Sequence, residues 1–243
     1  MPPCDRFAAP ADGGVADFGA NGVIRLDSAS GPEAIERRSF AIIESEVQEP
    51  RPFAGPAWQV ARRLVHSSGD LSLLSSLYLP DAAVRAGVEA LKKGRPVYAD
   101  TAMAVAGMPA RRLAPLGVRA ECFLYGAGVA ETARRLGCTR AKAGIRALSE
   151  RMGSSVLAIG NAPTALLALF DYLDSGGEPP ALVIAMPVGF VNAAESKELA
   201  LRRGDLAVLA VRGRRGGSPL AAATVNALAC LALEESGLAP APL

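Results

Sequence analysis

The chain of 243 residues is half hydrophobic, about a fifth charged and only 5% aromatic, with a formal net charge of +2. That size and balance fit one α/β domain whose core needs no disulfide or metal staple, and the small net charge argues against a nucleic-acid partner. Four cysteines without a CxxC pair, together with a single histidine, argue against a structural zinc site, so reduced thiols in a cytoplasmic protein are expected.

The chain begins with a segment rich in Gly, Ala, Asp and Pro. This composition predicts a flexible N-terminal extension over 1–30, followed by a single α/β domain over 31–243. The segment lacks the basic and apolar regions of a signal peptide. The longest apolar stretch, Ser155–Phe170, is interrupted by Gly, Asn and Pro, which predicts no membrane span.

Helical and extended patterns divide the predicted domain. The first three predicted elements are amphipathic helices at Pro32–Val47, Ala57–His66 and Asp81–Lys93. Short apolar runs then predict strands at Pro96–Ala99, Val118–Leu124, Ser155–Ile159, Ala181–Ala185 and Leu206–Val211. They alternate with helical patterns at Val129–Leu136, Thr139–Met152, Pro163–Asp174, Ala193–Leu201 and Ser218–Ser236. The alternation predicts a three-layer α/β fold, in which a mainly parallel five-stranded sheet carries helices on both faces. The last three strands are apolar throughout, as central strands should be.

Ligands of open α/β sheets bind beyond the carboxyl ends of the strands, and four loops occupy that place here. They are Asp100–Met103, Gly160–Thr164, Met186–Ser196 and Arg212–Ser218. In the second loop, Pro163 suits the first position of a helix, so free backbone N–H groups nearby could bind a carboxylate or phosphate. Asn161 and Thr164 are therefore candidate ligand residues, although a plain strand-to-helix turn explains the same pattern.

The two later loops combine small residues with possible anion donors. Asn192 and Glu195 have a spacing close to that of a capping box, which explains both without a functional role. Glycines permit close approach of the backbone and arginines donate to carboxylates, which makes the last loop a candidate anion site. It matches neither the phosphate-binding P-loop pattern nor the dinucleotide-binding glycine pattern, so nucleotide binding is poorly supported. The candidate ligand residues of these loops are Gly189, Ser196, Arg212, Gly217 and Ser218.

The only histidine, His66, lies at the predicted end of the second helix. Arg63 precedes it by three residues, so both side chains share one helix face. A lone histidine is more often structural than catalytic. A neighbouring cation disfavours the imidazolium form, however, and an anionic substrate would restore it. His66 is therefore a candidate substrate-dependent acid in a chain without a G-x-S-x-G nucleophile motif or an evident carboxylate pair.

Several segments of the chain resemble the precorrin-8X/cobalt-precorrin-8 methylmutase family, in family order from about Ile35 to about Cys230. These segments are ERRSFAII at 36–43, LVH at 64–66, AIGNAPTAL at 158–166, MPVGFV at 186–191, AESK at 194–197, RGR at 212–214 and GGS at 216–218. The blocks around Gly160 and Pro187 are long and specific, and they carry most of the resemblance.

The resemblance implies an isomerase of cobalamin biosynthesis. Such enzymes move a methyl group from C-11 to C-12 of precorrin-8X, or of cobalt-precorrin-8, and release hydrogenobyrinate or cobyrinate. The family is α/β and dimeric and requires no separate cofactor. No metal site is expected, and hand-over of the product to neighbouring corrin-pathway enzymes is a possible partner relation. Two alternatives remain open at this point: a non-catalytic corrinoid-binding carrier and a generic α/β nucleotide-binding module.

The resemblance also assigns individual residues. The active-site histidine of the family aligns with His66, as proton donor and acceptor, and family substrate contacts align with Ser39 and Arg63. The substrate is a large apolar macrocycle edged with carboxylates, which needs arginines and backbone N–H groups at the rim of its site. From their placement, the remaining predicted substrate-binding residues are Arg37, Asn161, Thr164, Gly189, Ser196, Arg212, Gly217 and Ser218.

Overall fold

The computed structural model describes residues 31–239 of the chain. Two units are distinguished, Met1–Ser39 and Phe40–Leu243. The predicted extension at 1–30 lies outside the described residues, so its flexibility and the domain boundary after residue 30 stay predictions.

Helices make up most of the described chain. The α-helices within 31–239 are α1 (Pro32–Glu46), α2 (Gly55–Ser68), α3 (Asp81–Lys92), α4 (Ala102–Ala106), α5 (Ala110–Leu113), α6 (Val129–Arg135), α7 (Arg140–Leu148), α8 (Pro163–Asp174), α9 (Ala193–Arg202) and α10 (Ser218–Glu235). Short 3-10 turns lie at Leu71–Ser76, Ala114–Leu116, Phe123–Tyr125 and Ser149–Arg151. None of the helices in this part of the chain is long and apolar enough to cross a membrane.

The strands form one mixed sheet. They are β1 (Leu77–Tyr78), β2 (Val97–Ala99), β3 (Ala120–Cys122), β4 (Val156–Ile159), β5 (Leu182–Ala185) and β6 (Val208–Val211), in the spatial order β1-β6-β5-β4-β2-β3. All neighbours are parallel except β1, which pairs antiparallel with β6. The predicted mainly parallel α/β class is confirmed. The predicted count of five strands is wrong, because the two-residue edge strand β1 is too short to show an alternating pattern.

The side chains of each central strand alternate between two hydrophobic cores, one on each face of the sheet. In β5, Leu182 and Ile184 belong to the core on one face of the sheet, and Val183 and Ala185 to the core on the other. The first face carries α3 and α10, with α2 packed on α10, and the second carries α7 and α8. All four residues of β4, β5 and β6 are buried, as the unbroken apolar runs predict.

The chain reverses its direction of travel across the sheet between β2 and β4. From β2 it moves outward to β3, whereas from β4 it moves the opposite way through β5 to β6. A crevice at the carboxyl ends of the strands opens at such a switch point, and ligands of α/β proteins bind there. The loops that leave β2 and β4, beginning at Asp100 and Gly160, therefore lie beside the expected ligand site.

Candidate active site

The end of α2 reaches the carboxyl edge of the sheet because β1 runs antiparallel to β6. Leu77 pairs with Val211, the last residue of β6, and the N–H of Arg212 donates to the carbonyl of Ser76 at 2.7 Å. The segment between α2 and β1 therefore lies at the same edge as the loops that follow the parallel strands.

Contacts of Arg215 join this segment to the loop after β6. Its guanidinium pairs with the carboxylate of Asp70, and its Nη1 donates to Oγ of Ser72 at 3.1 Å. Hydrogen bonding from Ser72, followed by the charge of Arg215, lowers the pKa of Asp70. The C-terminal end of α2 is thus tied to the arginine-bearing loop 212–217.

His66 occupies the last turn of α2, which ends at Gly69 in a left-handed conformation with φ of 63°. The half-buried imidazole meets the Phe40 ring edge to face, with 5.3 Å between ring centroids and 64° between planes. The guanidinium carbons of Arg62 and Arg63 lie 4.4 and 5.0 Å from the centre of the same ring. The imidazole of His66 and the guanidinium groups of Arg62 and Arg63 therefore all lie against the ring of Phe40.

Glu44, an acidic residue of α1, forms ion pairs beside this cluster. Glu44 pairs with Arg62, and Nη1 of Arg51 lies 3.6 Å from its carboxylate. The hydrogen bond from Arg62 is the main cause that lowers the pKa of Glu44. Glu44 thus carries its charge within an ion-pair cluster, and its repulsion of an anionic ligand is offset by the two guanidinium groups.

Asp100 occupies the switch-point crevice. Its fully buried carboxylate accepts hydrogen bonds from the N–H groups of Gly160, Asn161 and Ala162, at 2.9, 2.8 and 2.7 Å. Burial raises the pKa of Asp100, and the three N–H donors oppose that rise. The backbone donors that the sequence analysis expected to be free are therefore held by the protein's own carboxylate. These three N–H groups are therefore occupied by Asp100, and a ligand must bind to other groups of the crevice.

The N-terminus of α10 closes on the same crevice. The hydroxyl oxygens of Ser218 and Thr101 are 2.7 Å apart, and Oγ1 of Thr101 also accepts from the N–H of Ala104 and so caps α4. A Cβ atom at Gly160 would lie only 2.7 Å from Cα of Ser218, so this approach requires glycine. Gly217, with φ of 122°, donates its N–H to the carbonyl of Met186 at 2.8 Å. Ser218 and Gly217 thus join the loops of β2, β4 and β5.

The loop after β5 exposes apolar side chains beside the loop after β6. The N–H of Gly189 donates to the carbonyl of Arg214 at 3.2 Å, and the Arg214 guanidinium lies 5.2 Å from the ring centre of Phe190. The side chains of Phe190 and Val191 are 82% and 77% exposed. The two loops form one surface that combines apolar and cationic groups.

Asn192 does not cap α9. Its backbone is left-handed, with φ of 59°, and its side chain makes no capping hydrogen bond, so the expected capping box with Glu195 is wrong. A capping residue needs an extended backbone to direct its side chain at the first N–H groups of the helix. The loop geometry at the end of β5 overrides that local signal.

The other predicted ligand residues have varied surroundings. Ser196 is buried on α9, and its hydroxyl donates to the carbonyl of Ala193 at 3.4 Å. Arg212 is exposed, with its guanidinium 5.6 Å from the ring centre of Tyr78 and 3.8 Å from the carboxylate of Glu198. Thr164 accepts from Thr139 Oγ1 at 3.1 Å, and the side chain of Asn161 is exposed.

Two further predicted ligand residues lie on α1. Arg37 is exposed and Ser39 is half-buried. Both belong to the unit Met1–Ser39 and are described within that unit only. Their predicted contact with a ligand stays a prediction.

Lys197 has no role that its sequence context predicts. It is fully buried on α9, and its Nζ donates to the carbonyl of Arg215 at 2.7 Å. Burial lowers its pKa to about 8. A signal was available, because Ala193, Ser196, Lys197 and Ala200 follow the spacing of a buried helix face.

Large apolar side chains are exposed along the carboxyl edge. Met103 and Tyr125, on the segments that follow β2 and β3, are 68% and 71% exposed, and Phe190 and Val191 follow β5. An apolar surface rimmed by arginines suits a large apolar ligand with anionic groups at its periphery. Within residues 31–239, no three His, Cys, Asp or Glu side chains are grouped to hold a metal ion. The side chains at this edge can bind a ligand by charge and shape, and His66 can transfer a proton.

Comparison with known proteins gives a consistent picture. The family model described as precorrin-8X methylmutase matches residues 34–231. A precorrin-8X methylmutase of Pseudomonas aeruginosa is 43% identical, over 81% of this chain and 94% of its own. A cobalt-precorrin-8 methylmutase of Leptospira interrogans is 37% identical, over 81% and 92%. The solved structure of a precorrin-8X methylmutase from Thermus thermophilus matches with a TM-score of 0.77 at 34% identity, covering 86% of this chain and 99% of that one.

Proposed function

The chain belongs to the precorrin-8X methylmutase family and is an isomerase of cobalamin biosynthesis, and from this premise we propose that it moves a methyl group from C-11 to C-12 of precorrin-8X or cobalt-precorrin-8. The product would be hydrogenobyrinate or cobyrinate. The observation that carries the proposal is the family match over 34–231, which includes His66 and all four loops at the carboxyl edge. A non-catalytic carrier is not favoured, because the relatives that cover this chain are named for catalysis.

His66 is the proposed proton donor and acceptor. A methyl shift within one molecule leaves composition and oxidation level unchanged, so that it requires no nucleophile, oxidant or second substrate. It is assisted by a positioned acid that protonates the macrocycle as bonds reorganise and takes the proton back afterwards. The position of His66, half-buried and held against Phe40 at the end of α2, supports this role. A group there is accessible to a ligand yet restrained in orientation.

The proposed substrate site extends from His66 along the carboxyl edge. Arg63 and Arg212 would receive carboxylates at the rim, and the exposed side chains around Phe190 would cover an apolar face of the macrocycle. Further contacts are proposed for Arg37, Ser39, Asn161, Thr164, Gly189, Ser196, Gly217 and Ser218. The buried positions among these, Ser196, Gly217 and Ser218, would act by shaping the loops.

Turnover of purified full-length protein tests the function. Precorrin-8X and cobalt-precorrin-8, supplied in separate reactions, are expected to give a change in the visible spectrum and a product of unchanged mass. Mass spectrometry with a methyl-labelled substrate would confirm migration rather than exchange. Retention of a coloured ligand without isomerisation would contradict catalysis and support a non-catalytic corrinoid-binding carrier instead. Comparison of the two reactions identifies whether the metal-free or the cobalt form is preferred.

Assembly and location are further parts of the proposal. A cytoplasmic homodimer that hands its product to the next corrin-pathway enzyme is proposed from the family resemblance. Exposed apolar side chains such as Ile42 on α1 and Phe190 support self-association, which would cover them. Light scattering at micromolar concentration is expected to give twice the chain mass of 25.0 kDa. A monomer mass under these conditions would refute the dimer.

A further inference from the structure

A lysine is buried beneath the loop after β6. Lys197 is 0% exposed and lies on the inner face of α9 with Ala193, Ser196 and Ala200. Its ammonium donates to the main-chain carbonyl of Arg215 at 2.7 Å. Within the part of the chain that the structure describes, Lys197 belongs to no ion pair; among charged groups only Glu198, its neighbour on α9, acts on its pKa.

Burial of this charged side chain lowers the stability of the folded state. Taking an ammonium group out of water carries a large desolvation cost, and one carbonyl offsets only part of that loss. Replacing buried charges by apolar side chains of similar volume is often neutral or stabilising. Packing alone therefore does not account for a lysine at this position, and its role lies in what the ammonium holds.

What it holds is the middle of loop 212–217. Neighbouring parts of this loop are fixed by the N–H of Gly189, which donates to Arg214 O, and by Asp70, which pairs with the Arg215 guanidinium. At Gly216 a Cβ atom would lie 2.2 Å from the carbonyl of Met186, so the loop also packs tightly on the end of β5. The hydrogen bond from Lys197 reaches the loop from the buried face of α9.

We propose that Lys197 is a positioning residue of the substrate site, whose buried ammonium holds the main chain of Arg215 and so keeps the arginines of loop 212–217 placed for the carboxylates of the substrate. The proposal rests on the proposed function for the identity of the ligand. Its structural part, that Lys197 orders the loop, does not depend on the identity of the ligand and can be tested without one.

Replacement by methionine separates this role from a structural one. Lys197→Met is expected to leave the Tm unchanged or raised, because a buried charge is lost while the volume is kept. Affinity for hydrogenobyrinic acid, measured by absorbance titration, is expected to fall about tenfold or more, with KM affected more than kcat, because the receiving groups lose their placement. Hydrogen exchange of amides 212–217 in the unliganded protein is expected to become faster.

The stability effect has a defined pH dependence. The folded protein releases the Lys197 proton near pH 8, whereas the unfolded chain keeps it to about 10.5. The unfolded state therefore binds more protons between these values, so the wild type gains stability as the pH rises through this window. Any Tm advantage of Lys197→Met is expected to be largest below pH 8 and to shrink above it. The nearby Arg215 guanidinium pairs with the carboxylate of Asp70.

Two variants complete the test. Lys197→Gln keeps a donor for the Arg215 carbonyl without the charge, and is expected to restore loop protection and part of the affinity. Lys142→Met, at a half-buried surface lysine whose ammonium donates to Asp171, is the matched control and should change neither readout. Unchanged loop exchange and unchanged affinity in Lys197→Met would overturn the proposal. Faster loop exchange in a protein whose wild type neither binds nor converts the corrinoid would instead count against the proposed function alone.

Discussion

Replacing His66 by alanine is expected to lower the rate of methyl migration by about 10²- to 10⁴-fold, the usual contribution of a positioned acid or base. KM should change much less than kcat, because Arg63 and the other proposed carboxylate contacts remain. The Tm should stay close to that of the wild type, since the half-buried side chain lies in the last turn of α2 and its contact with Phe40 contributes only about 1 kcal/mol. Steady-state kinetics with precorrin-8X, alongside thermal unfolding, measures all three quantities.

A neighbouring substitution provides the control for His66. Ser67 is exposed in the same helical turn, and its hydroxyl donates to the carbonyl of Arg63 at 2.9 Å. Ser67→Ala perturbs the same end of α2 without removing the imidazole, so near-normal turnover is expected. Equal losses in the two variants would mean that the helix end, and not the imidazole, is what matters. Wild-type turnover by His66→Ala would show that the proton is handled elsewhere.

Elements with strong local signals could be predicted from the sequence. α8 begins and ends where the pattern places it, at Pro163 and Asp174, because proline opens the helix and its apolar face is long. The predicted helix at Thr139–Met152 is wrong in its last turn, since α7 ends at Leu148 and a 3-10 turn follows. Tertiary contacts decide such ends. β1 and the short helix α4 offer too few residues for any periodic signal.

The candidate site was predictable in its parts but not in its assembly. The rule of strand carboxyl ends selects loops that the fold brings together at one edge of the sheet, and the resemblance selects His66. That His66 lies near those loops depends on the antiparallel pairing of β1 with β6, a long-range contact that no local pattern encodes. The occupation of the Gly160 turn by Asp100 is likewise a contact across 60 residues. The burial of Lys197 is different, because its helical spacing from Ala193 and Ala200 is a local signal for a buried face.

Asp100 joins the two strands at the switch point through hydrogen bonds that an amide cannot reproduce. One carboxylate oxygen accepts from Gly160, and the other accepts from both Asn161 and Ala162. An asparagine has a single acceptor oxygen, so its NH₂ group must face at least one of these N–H donors. That donor is left buried without a partner, which costs about 1–3 kcal/mol in addition to the lost bond.

Asp100→Asn is therefore expected to lower the free energy of unfolding by about 2–4 kcal/mol and the Tm by roughly 5–15 °C. Because the Gly160 turn packs on Ser218 at the start of α10, loosening it should also weaken corrinoid binding in the fraction that stays folded. Urea unfolding and absorbance titration at 25 °C separate the two effects. Asp171→Asn, the same change at an exposed carboxylate, should alter stability by no more than about 0.5 kcal/mol. Equal stabilities for the two variants would mean that the three N–H groups find other partners, and that the switch-point crevice does not depend on the carboxylate.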